Sequence, residues 1–151
     1  MRRLAKPLLL GAGLTLALTA CSGPEPVDPA LIKQWRAGLE ADAEGASTLF
    51  AAVGPDSELD SDEDAVRIDF GSPLAVGSVE FSCFGEGGMR ARMTGISATG
   101  TTIRDLDAIE CADSPHALDA ELLGETPLDA FAFTGHSSTE QSAWFVTIRE
   151  R

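Results

Sequence analysis

Asparagine and tyrosine are absent from this chain, and histidine and cysteine are scarce, with two His and three Cys in 151 residues. Without Asn there is no N-glycosylation acceptor. With only His116 and His136 available, any imidazole base or imidazole metal site must use one of them or fall back on carboxylates. No Cys-x-x-Cys spacing occurs, so zinc has little support. Basic residues are also few, 11 against 24 acidic, and the resulting net charge of −13 argues against nucleic acid as a partner. No apolar run is long enough to span a bilayer.

What is present at the N-terminus is more specific. Arg2, Arg3 and Lys6 precede fourteen uncharged residues, Pro7 to Ala20, a segment built like a signal peptide. It ends in Leu18, Thr19, Ala20 and Cys21, which resembles the lipobox of bacterial lipoproteins: Leu, two small residues, Cys. The resemblance implies that the Cys21 thiol receives a diacylglycerol and that the signal peptidase cuts just before it. Small residues at 19 and 20 suit a peptidase pocket, and the thiol is the nucleophile that is alkylated. The other reading is an ordinary secretory peptide cut at an Ala-x-Ala type site, with Cys21 merely nearby. Removing residues 1–20 leaves 131 residues with eight basic and 24 acidic side chains, a charge of −16. That is the size of one domain. A body so negative is repelled by anionic headgroups, so lipid must hold it: each buried methylene contributes about 0.8 kcal/mol, and stable residence takes two chains. The expected partner is the membrane, through diacylglycerol on Cys21, at the extracytoplasmic face of the cell membrane. An envelope protein, a polymer or a small ligand is the further partner, and no cofactor is expected.

Once Cys21 is taken by lipid, Cys83 and Cys111 remain as an even pair in an exported protein, which leads to a disulfide, with buried free thiols as the alternative. Residues 21–27 form a Pro-rich tether of about 20 Å. Asp28-Pro29 reads as an N-cap followed by the first helical position. Apolar residues from Leu31 through Trp35, Leu39, Leu49, Phe50 and Val53 then make one stripe, so an amphipathic helix is expected over 28–54, stopped by Gly54-Pro55. Residues 55–65 form an acidic loop containing Asp56, Glu58, Asp60, Asp62, Glu63 and Asp64. After it the period drops to two, and strands are expected from 66 to 151, including 89–96, 101–111 with a break near Asp105, 117–123, 130–134 and 143–149. The fold class is therefore mainly β: an antiparallel β-sandwich of six or seven strands with one N-terminal amphipathic helix. Arg outnumbers Lys nine to two, a usage similar to that of GC-rich bacteria such as actinobacteria. In layout the chain resembles small cell-envelope lipoproteins of that group, which implies a Cys-bridged sandwich of uncharacterised activity.

Catalytic and ligand motifs fall short on chemical grounds. His116, His136 and Asp113 could share a metal only if two loops met, and their spacing carries no ligand signature. Gly135-His136-Ser137-Ser138-Thr139 lacks the second glycine of a nucleophile elbow and leads into a strand. Gly85-Glu86-Gly87-Gly88 lies between strands, where no helix N-terminus receives a phosphate. Asp60, Asp62 and Asp64 alternate as in a calcium loop, but Ala65 and Gly71 stand where Gly and Glu are needed. Trp144 and Phe145 are adjacent in a strand and face opposite ways. If Trp144 faces inward, Phe145 and Phe84 face outward and could form a ligand platform, unless the helix stripe of Trp35 and Leu39 covers them. The expected function is a non-catalytic binding or structural module at the envelope. The alternatives are a small hydrolase using carboxylates and a loop His, or a weak calcium-dependent module. A two-lobed capture protein feeding a transporter needs more chain than this.

Overall fold

Period-two patterning dictates most of the architecture of the computed structural model, which describes residues 27–55, 57–59 and 65–151. Cys21 and the lipobox residues Leu18, Thr19 and Ala20 lie outside the described residues, as do Asp56 and residues 60–64 of the acidic loop. Helix α1 spans Pro29–Asp42. The strands are β1 Ser47–Val53, β2 Val66–Leu74, β3 Val76–Cys83, β4 Gly88–Ser97, β5 Gly100–Glu110, β6 His116–Leu118, β7 Leu128–His136 and β8 Ser142–Glu150. They form two four-stranded antiparallel sheets, ordered β1-β8-β3-β6 and β2-β7-β4-β5.

Between the sheets, Phe81, Trp144, Val146 and Ile148 of the first meet Met89, Met93, Phe131 and Phe133 of the second. The Phe133 ring lies 5.0 Å from Trp144 and 5.3 Å from Phe81, centroid to centroid. Cys83, at the end of β3, is bonded to Cys111, just beyond β5, with Cα atoms 4.9 Å apart. The bond joins an inner strand of one sheet to the edge of the other.

The helix expected over 28–54 is shorter, and its second half is a strand. Asp28 accepts from the Ala30 N–H at 2.8 Å and starts α1 as the sequence indicates. The helix then ends at Asp42, and Gly45 takes φ +77°, a conformation open to glycine without a Cβ penalty. Leu49 and Val53 are four apart, which suits a helix, but both are also even steps along a strand with Ala51 between them. Pairing the whole of Ser47–Val53 against β8 settles the ambiguity, because it buries Leu49 and Val53 and satisfies the backbone. This gives eight strands instead of six or seven. The expected strand 117–123 is also shorter: after Leu118, Asp119 caps a 3-10 turn at Ala120–Leu123 by accepting the Glu121 N–H at 2.9 Å. The break near Asp105 is a bulge two residues on, where Asp107 and Ala108 together oppose Arg90.

Helix α1 packs on the outer face of the first sheet and decides the fate of the two outward phenylalanines. Trp35 meets Phe84 edge to face at 5.6 Å, and the Arg36 guanidinium sits 4.4 Å above the Phe50 ring. Phe145 lies between Phe50 and Ser82 on that face and is only 2% exposed. Phe145 is therefore buried and Phe84 half-buried against Trp35, so the two rings do not form an open ligand platform. Trp35→Ala is expected to cost about 1 to 2 kcal/mol and to speed amide exchange in α1 more than in the sheets. Unfolding by urea, followed by circular dichroism, and hydrogen exchange check this.

Candidate functional site

The outer face of the second sheet brings charged groups from three strands together. Met89, Ala91 and Met93 of β4 point into the core, so Arg90 and Arg92 point out, and inward Phe133 and Gly135 on β7 likewise put Thr134 and His136 outside. Register aligns them: Arg90 stands opposite His136, and Arg92 is flanked by Thr134 on β7 and Asp105 on β5. Arg90, Arg92, Asp105 and His136, with Leu106 and Asp107 from β5 and Leu59 from the segment before β2, line an open cleft of about 270 Å³. The β5 bulge turns the strand at its rim, a feature often found beside functional sites.

Arg92 donates to Asp105 twice, Nε to Oδ1 at 2.7 Å and Nη2 to Oδ2 at 3.2 Å. That pairing holds the Asp105 carboxyl below the usual carboxylate range. His136 Nδ1 lies 3.0 Å from the Ser137 hydroxyl. Burial is the main cause that pushes the imidazole below its ordinary value, Arg92 and Arg90 push the same way, and Asp105 opposes them. The ring is therefore neutral at pH 7, with one N–H donor and one acceptor. Among the described residues Arg90 makes no ion pair and no side-chain hydrogen bond.

Acidification is expected to weaken the fold through this histidine. An unfolded imidazole takes up its proton near pH 6.5, while His136 in the fold does so only at lower pH. Between the two values the unfolded chain binds more protons, so the stability present above pH 6.5 is lost as pH falls through the folded value. His136→Gln flattens the dependence of the denaturation midpoint between about pH 7 and pH 5. An unchanged slope removes His136 as its source.

The other motifs resolve differently. His116 opens β6 and His136 ends β7, so neither is a loop residue and they belong to different sheets. His116 Nε2 is 2.9 Å from the Glu110 carbonyl, and its ring packs beside Phe81. His116, His136 and Asp113 do not converge, and no group of three or more His, Cys, Asp or Glu able to hold a metal occurs among the described residues. The Gly85–Gly88 loop does cradle an anion, but one from this chain: the Glu86 and Gly87 N–H groups donate to the Glu140 carboxylate at 3.1 and 2.9 Å. Thr139 adds a bond from the Gly88 N–H at 3.0 Å. Glu140→Ala leaves those donors to water and is expected to cost about 1 to 2 kcal/mol in chemical denaturation. Ser137, in the suspected elbow, has φ +49° and donates its N–H to the Ser57 carbonyl, which ties the β7–β8 turn to the segment after β1.

Sequence reasoning singled out His136 but missed Arg90, Arg92, Asp105 and Leu59. The alternation Arg90-Ala91-Arg92-Met93 places both arginines on one face. What brings Asp105 and His136 beside them is strand order. No helix among the described residues is long and apolar enough to cross a membrane. The disulfide-bonded β-domain fits an extracytoplasmic protein. No protein-family model, no curated protein and no solved structure matches this chain.

Proposed function

We propose that this chain is an extracytoplasmic lipoprotein, held at the membrane by diacylglycerol on Cys21, whose β-sandwich acts as a non-catalytic binding module at the cell envelope. The observation that carries this reading is the run Leu18-Thr19-Ala20-Cys21 behind a basic and then apolar leader, eight residues ahead of the first helical residue, Pro29. The Cys83–Cys111 bond supports export, since such bonds persist in oxidising compartments. The cleft supports binding over catalysis: Asp105 is committed to Arg92 by two hydrogen bonds, so it is not free to orient His136 as a base.

A second reading, a small hydrolase, keeps a specific observation in its favour, because His136 shares the cleft with Asp105 and Asp107. Two assays on the lipidated protein separate the two. A photo-crosslinker at Asp107 on intact cells is expected to capture a saturable envelope partner that the same probe at Asp69 does not. Turnover of an ester, peptide or glycoside substrate that disappears in His136→Gln overturns the module in favour of the enzyme.

A further inference from the structure

We infer that the cleft between β4, β5 and β7 binds the carboxylate of a small, partly apolar molecule, with Arg90 as its principal donor. The inference deepens the reading of the sandwich as a binding module and rests on it, but it does not depend on the lipid anchor.

The charges in the cleft are unequal in what they can offer. Asp105 and Arg92 are joined by two hydrogen bonds and brace each other. Asp107 also lines the cleft, at the β5 bulge opposite Arg90. Arg90 stands two residues from Arg92 on the same outward face, directly opposite His136. A guanidinium presents a planar pair of N–H donors that matches a carboxylate, and a neutral imidazole beside it adds either a donor or an acceptor. An exposed arginine hydrated by water is ordinary. Arg90 differs from such a residue in its setting: it makes no ion pair among the described residues, it faces a half-buried imidazole, and the cleft's other guanidinium is already neutralised by Asp105. Burial first, and the two arginines after it, keep the imidazole neutral, so it can donate or accept at the ligand. Leu59 and Leu106 supply apolar wall, so the anion is expected to be part of a larger body. Asp107 repels any anion, so it is the apolar wall beside Arg90 that favours a carboxylate carried on an apolar body over inorganic phosphate.

The molecule contains its own control for the test. His136 and His116 are the only imidazoles and lie on different sheets, so their ring resonances report the cleft and a remote site separately. The processed full-length protein in lipid nanodiscs is titrated with hexanoate, acetate and inorganic phosphate at matched ionic strength. Hexanoate is expected to move His136 saturably while His116 stays still, and to bind about tenfold or more tighter than acetate through its extra methylenes. Arg90→Gln is expected to weaken hexanoate by about tenfold or more, and Arg149→Gln, on the other sheet, to leave it unchanged. Retained resonance dispersion shows that each variant is folded. The site is refuted if both histidines move together, if His136 fails to saturate, if phosphate binds better than hexanoate, or if Arg90→Gln has no effect. A silent His136 in a protein lipidated at Cys21 removes this site alone. A saturable His136 in a protein without lipid leaves the site standing and removes the anchor.

Discussion

Replacing both Cys83 and Cys111 with alanine, or reducing the bond between them, is expected to lower the unfolding free energy by about 3 to 4 kcal/mol. The bond closes a segment with a sequence separation of 28, and that segment contains all of β4 and β5. In the chain-entropy description, cutting such a link frees the unfolded chain far more than it disturbs the fold. A domain of this size has a total stability of about 5 to 15 kcal/mol, so the loss is a large fraction. Both cysteines are buried, at 2 and 4% exposure, and alanine in place of sulfur leaves only small voids. Urea denaturation with and without reductant measures the effect. A midpoint insensitive to reductant contradicts it, and with it one support for an oxidising compartment. Since β4 and β5 carry Arg90, Arg92 and Asp105, the reduced protein is also expected to lose order in the cleft before the first sheet opens.

Trp144→Ala is expected to cost about 3 to 5 kcal/mol, the usual range for removing a large buried aromatic. Trp144 is 2% exposed, contacts Phe133, and lies over a glycine on the facing sheet. A Cβ built on Gly135 would collide with Trp144 Cδ1 and come within 2.8 Å of the Met89 sulfur. That closeness explains why β7 carries a glycine beside His136, where strand propensity alone disfavours one. Gly135→Ala is expected to cost about 1 to 3 kcal/mol by overpacking. The two positions are in contact, so their effects are expected to couple: Gly135→Ala costs less in a Trp144→Phe background than in the natural chain. Additive losses contradict the close approach.

Strands β4, β7 and β8 are legible in the sequence because core residues recur at alternate positions in each, as in Trp144, Val146 and Ile148, and only a strand puts such residues on one face. The start of α1 is legible from Asp28-Pro29. Its end is not, because Leu49, Phe50 and Val53 satisfy both periods and Gly45 reads equally as a weak helical residue or a break. Pairing with β8 decides between them, and β8 lies about a hundred residues away in the chain. Alternation with inward Trp144 puts Phe145 on the outer face, but alternation alone does not tell that the ring is buried there. The cleft was the least legible part: Arg92 meets Asp105 across 13 residues and Arg90 faces His136 across 46, distances that only the order β7-β4-β5 closes. The Gly85–Gly88 loop lacked a helix to receive a phosphate, as expected, but nothing local indicated that Glu140 would fill it.

The most direct measurement is the mass of the N-terminal peptide of the protein recovered from the membrane fraction. If the chain is anchored as proposed, that peptide begins at Cys21 and carries a diacylglycerol on its thiol, and Cys21→Ser removes the modification. A peptide that begins elsewhere, or that begins at Cys21 with an unmodified thiol while the protein remains on the membrane, contradicts the anchor.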